Sequence, residues 1–101
     1  MNEYDELFHS VKEIAQSLQA LSRRAVREYS PIVEAIVSEG CRDVQHIQHT
    51  LDGLLDFAHD PETLLLYKKL CRHYYFIDPV ATADYIRFYR EMWDSESEDQ
   101  S

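Results

Sequence analysis

Glycine is scarce: the 101 residues contain two, Gly40 and Gly53. Tight turns in sheet-rich folds consume Gly and Asn, so this shortage excludes an extended β-architecture, and two isolated glycines cannot build a phosphate-cradling loop. Cysteine is limited to Cys41 and Cys71. A lone pair in a chain whose opening shows no export signal is expected to be two reduced, half-buried thiols. No apolar run nears the roughly 18 residues of a membrane span, and Met1-Asn2-Glu3-Tyr4-Asp5-Glu6 is acidic where a signal peptide is basic. The sequence therefore reads as cytoplasmic, with no membrane partner. Basic residues are also few, ten against nineteen acids, for a net charge of −9. Four of those acids, Asp94, Glu96, Glu98 and Asp99, lie in the last eight residues, which leaves residues 1–93 at −5. Direct nucleic-acid binding through a broad basic face is not expected, because neutralising phosphates takes clustered positive charge.

What is present is apolar residue at helical spacing. The chain is 45% hydrophobic, and a compact fold of this mass would expose about 6,000 Å² against about 17,400 Å² unfolded, enough burial for one modest core. Ser30-Pro31, Asp60-Pro61 and Asp78-Pro79 each set a capping residue before a proline suited to the first helical position, so three helix starts are expected there. Ahead of them, Tyr4, Leu7, Val11, Ile14, Leu18, Leu21 and Ala25 alternate in steps of three and four, an apolar stripe along one long helix, widened by Phe8 and Ala15. Acids in its first turn and Arg23, Arg24 and Arg27 in its last turns suit the helix dipole.

Residues 32–37 are apolar on nearly every side and predict a short buried helix stopped by Gly40. Residues 42–58 carry a stripe through Val44, Ile47, Leu51, Leu54, Leu55 and Ala58. Residues 61–76 place Leu64, Tyr67, Leu70, Cys71, Tyr74 and Tyr75 on one face, and residues 79–93 form a last helix whose core side is expected at Tyr85, Phe88 and Met92. Gly53 lies inside a helix at a cost of about 1 kcal/mol relative to Ala, so another helix is expected to pack closely on it. The fold class is all-α: a single-domain irregular bundle of about five helices over residues 1–93, with a disordered acidic tail at 94–101.

Five histidines raise metal and acid–base chemistry. His46 and His49, with Asp43, are the closest set, but a tetrahedral zinc site would need Cys41 or the Cys71-Arg72-His73 segment to join them from another helix. Glu6 with His9 and Asp56 with His59 show the carboxylate-x-x-His spacing of di-iron bundles, for which Glu34 and Glu62 could be nominated. The second pair has the shorter Asp and sits at a helix end. An RNA-cleaving arrangement with four residues between Arg and His is met only by Lys68 and His73, with Lys where the planar fork is needed. Ser10, Ser17, Ser22 and Ser30 have no strand-turn-helix elbow around them. No catalytic residue, metal ligand or cofactor is assigned. A metal-binding or RNA-cleaving helical enzyme is the alternative to the reading adopted next.

Two features favour protein interaction. Eight of twelve aromatics fall within residues 67–93, more than a core stripe requires. Ile86, Tyr89, Trp93, Tyr74 and Tyr75 are the candidate interface, and Lys68, Lys69 and Arg72 form a basic stripe on the fourth helix. The expected function is a small acidic interaction module, an adaptor, regulator or inhibitor, whose partner is another protein or itself. Self-association as a homodimer is expected through the aromatic C-terminal helices.

Overall fold

A computed structural model describes residues 3–94. The tail expected at 94–101 lies, apart from Asp94, outside the described residues. Four helices follow in order: α1 (Glu3–Ser38), α2 (Val44–Leu55), α3 (Pro61–Tyr75) and α4 (Pro79–Trp93). The expected count of about five is corrected to four because the break at Ser30-Pro31 does not occur. Pro31 lies within α1, which runs unbroken for 36 residues. Proline there removes one amide donor and crowds the preceding turn. Packing on both sides offsets that loss, since Tyr29, Ile32, Val33 and Ile36 all join the core.

The other start and stop signals act as the sequence implies. Asp60 and Asp78 accept the amides of Thr63 and Ala81 at 3.1 and 3.0 Å, Pro61 and Pro79 open α3 and α4, and Asp43, a cap not expected from the sequence, accepts the His46 amide at 3.3 Å. α1 ends in a Schellman turn: the Cys41 amide donates to the Ile36 carbonyl at 2.9 Å and the Gly40 amide to Val37 at 3.3 Å. Gly40 sits at φ 61°, where a side chain would be strained.

α3 is the central helix and touches each of the other three. Val33 and Ile36 of α1, Ile47, Leu51 and Leu54 of α2, Tyr67, Leu70 and Tyr74 of α3, and Tyr85 of α4 make the core. Each fully buried aliphatic side chain contributes about 1.5–3 kcal/mol. α1 crosses α2 where the Tyr29 ring lies against Gly53, so a β-carbon at position 53 would overlap the phenol.

One expectation about faces is corrected. Phe88 and Met92 are 38% and 50% exposed, and α4 turns Ala81, Thr82, Tyr85 and Tyr89 inward. The Thr82 hydroxyl donates to the Asp78 carbonyl at 2.8 Å, so a residue that counts as polar on a helical wheel packs as an apolar one. The apolar stripe of the first half of α1 also does not join the core. Every residue from Glu3 to Leu21 is exposed, and burial begins at Ser22. Residues 3–21 form an arm, and the rest of the described chain forms a body.

Candidate functional site

α3 and α4 are joined by the short turn at Phe76–Asp78 and lie side by side, leaving a groove of about 620 Å³ between them. Cys71 and Thr82, both small, set its depth, while Leu64, Tyr67, Ile86 and Tyr89 make an apolar floor and wall. The Tyr67 hydroxyl donates to the Tyr85 carbonyl at 2.6 Å, tying the two helices together beneath the groove. The Tyr67 and Tyr89 rings stand 6.1 Å apart, so the floor is held by aromatic packing as well.

Burial pushes the Cys71 thiol up to about 12 and raises Tyr67 well above the ordinary phenol range, with the neighbouring Cys71, Tyr85 and Asp52 adding to the second shift. Both groups stay protonated near neutral pH. A neutral thiol is a poor nucleophile and metal ligand, so the floor is suited to contact rather than covalent chemistry.

The rim is cationic. Lys68 and Arg72 stand one turn apart on α3, and Arg90 and Asp94 at the end of α4 line the same groove. The ion pairs seen elsewhere on the described chain engage Arg24, Lys69 and Arg87 and not Lys68, Arg72 or Arg90. Lys69 faces the other way and pairs with Glu34 of α1. The basic stripe therefore divides into two groove cations and one structural partner.

The candidate interface residues divide too. Ile86, Tyr75 and Tyr89 line the groove, the first two with 46% and 57% of their surface exposed. Tyr74 is fully buried and is corrected from interface to core: its hydroxyl accepts from Gln48 Nε2 at 2.8 Å, and its ring meets Tyr85 at 6.4 Å. The reason is the central place of α3, which is covered on more than one side. Trp93 lies outside the groove. Its indole N–H donates to the Leu55 carbonyl at 2.7 Å and its ring lies 4.9 Å from His59, so it fastens the end of α4 to α2.

Leu64, Phe76 and Arg90 were not among the sequence candidates and line the groove. The signal for Arg90 is its position one turn after Ile86 on the same face; Phe76 caps α3 and carries no periodic signal. The histidines do not converge. His46 and His49 are exposed, His9 pairs with Glu13 at 3.0 Å, and His73 Nε2 lies 2.7 Å from the Cys41 carbonyl oxygen. Among the described residues no three His, Cys, Asp or Glu side chains come together as metal ligands would. Cys41 and Cys71 are both free thiols, and no described helix is long and apolar enough to cross a membrane. Known protein families, curated proteins and solved structures offer no match to this chain.

Proposed function

We propose that the chain is a protein–protein interaction module, an adaptor, regulator or inhibitor, that takes an acidic amphipathic segment of a partner protein in the α3–α4 groove. One observation carries this reading: in a chain of net charge −9, an apolar floor and three cations, Lys68, Arg72 and Arg90, against the one carboxylate Asp94, meet in a single groove. A segment alternating leucine or aromatic residues with Asp or Glu would seat its apolar side chains on Leu64, Ile86 and Tyr89. Its carboxylates would then reach Lys68 and the planar forks of Arg72 and Arg90. A buried apolar anchor contributes about 1.5–3 kcal/mol and a rim ion pair about 0.2–1 kcal/mol, so the floor supplies affinity and the rim selects charge. The chain's own residues 95–101 are acidic but have no apolar side chain, which favours a partner's segment over this one as occupant.

The test is selection from a random peptide library displayed against the full-length protein. The selected peptides should share acidic and large apolar residues, and their binding should fall at least tenfold on Ile86→Asp and on Arg72→Glu while helicity and melting are unchanged. Peptides without net negative charge, or binding that survives both substitutions, would remove the groove from consideration.

A further inference from the structure

The face of α1 that the body leaves uncovered has the period of a coiled coil. Tyr4, Leu7, Val11, Ile14, Leu18 and Leu21 follow one another by three and four residues without a slip, an average of about 3.5 that keeps a seam facing a supercoiled neighbour. These six side chains have between 48% and 81% of their surface exposed. Phe8, beside the seam, is 74% exposed. We propose that this face pairs with the same face of a second copy of the chain, antiparallel, as a two-stranded coiled coil.

Three observations select that occupant and orientation. The first is register. With Tyr4 of one copy level with Leu21 of the other, Leu7 meets Leu18 and Val11 meets Ile14, giving six layers related by a two-fold axis. In this register Glu3 of one copy is level with Ser22 of the other, the first residue of α1 that its own body buries. The exposed seam of each copy thus runs up to the point where the other copy's body begins, at a cleft between Leu18, Ser22 and Arg23 and the corner His59–Pro61. A shift of one heptad would either drive the arm into that corner or leave Leu18 and Leu21 bare.

The second is the flanks. Ser10, Ala15 and Ser17 border the seam and are small enough for two helices to approach closely, and Phe8 of one copy lies over Ala15 of the other. The third is charge. The first turn of α1 carries Glu3, Asp5 and Glu6, and residues 23–27 carry three arginines. Parallel pairing sets the acidic first turns side by side and the arginines side by side; antiparallel pairing sets Glu3, on the flank of the seam, across from Arg24 on the matching flank of the partner. Pairing along about 26 Å of helix would bury roughly 600 Å² per copy, near the roughly 800 Å² of a standard interface.

The test is sedimentation equilibrium of the full chain at tens of micromolar, with two sets of variants. The parent should be a dimer. Val11→Glu and Ile14→Glu should each weaken it at least a hundredfold with the melting of the body unchanged, since neither side chain touches the core. Reversing one end, by Glu3→Arg, should weaken the dimer about tenfold at low salt, and adding Arg24→Glu in the same chain should restore it. In a parallel pair every one of these chains sets like charge on like, so neither loss nor rescue would be seen. A monomeric parent, a dimer indifferent to Ile14→Glu, or equal affinity of the one-end and two-end reversals each overturns the proposal. Peptide capture by the groove should persist in Ile14→Glu, which separates this inference from the proposed function.

Discussion

Gly53 shows how one position can reverse a general rule. In a solvated helix, replacing Gly by Ala gains about 1 kcal/mol. Here the Tyr29 phenol fills the space a β-carbon would take, so Gly53→Ala should instead cost about 1–3 kcal/mol by pushing a packed ring off the α1–α2 crossing. In a Tyr29→Ala background the same change should turn stabilising, and a double-mutant cycle on denaturant midpoints reads the reversal. If Gly53→Ala is stabilising in the parent, the ring swings aside freely and the crossing is looser than the contact implies. The need for a close neighbour at Gly53 was legible in the sequence; that Tyr29 fills it was not, because it depends on where two helices cross. Tyr74 and Trp93 make the same point. Composition marks both as aromatic, but only the fold decides that their polar ends are satisfied by Gln48 and by the Leu55 carbonyl.

Three identical-looking signals had two outcomes among the helices. Asp60-Pro61 and Asp78-Pro79 start helices after chain reversals, where the aspartate side chain reaches the amide three residues on. Ser30-Pro31 lies inside a helix already seven turns long. A local motif reports what a start would look like, and the apolar residues on both sides of Pro31 decide that the chain continues. Pro31→Ala should therefore restore a helical hydrogen bond and raise stability by about 2 kcal/mol, with Ser30→Ala within about 0.5 kcal/mol of neutral. Asp60→Ala should cost about 0.5–2 kcal/mol. Thermal melts of the three would contradict the continuous helix if Ser30→Ala proved as damaging as Asp60→Ala and Pro31→Ala gained nothing. Helix identity, caps and the α3 stripe were readable from spacing. The groove was readable only in part, since Lys68 and Arg72 share a face with Tyr75 but Arg90 comes from another helix.

At the scale of the molecule, the radius of gyration is 16.8 Å, against about 13 Å for a compact fold of 100 residues. The exposed surface is 7499 Å², above the roughly 6,000 Å² expected from mass. The exposed arm contributes to both departures. The stripe along α1 was plain in the sequence, but periodicity states that a face is apolar and not what covers it. Because burial starts at Ser22, a chain beginning at that residue should melt within about 3 °C of the parent at low concentration. Its helical signal should no longer rise with concentration, as the parent's should when isolated arms pair. A large drop in melting temperature on truncation would mean that the arm supports the body directly.

Trp93 is the only tryptophan in the chain, and it is held at one joint, between the last turn of α4 and the end of α2. The protein therefore carries its own optical gauge. Its indole emission reports whether α4 is seated, and detachment of that helix would shift the light to the red while most of the helical signal is intact. An event confined to the groove wall can thus be watched in the unmodified molecule, without a label and separately from anything that happens at the far end of α1.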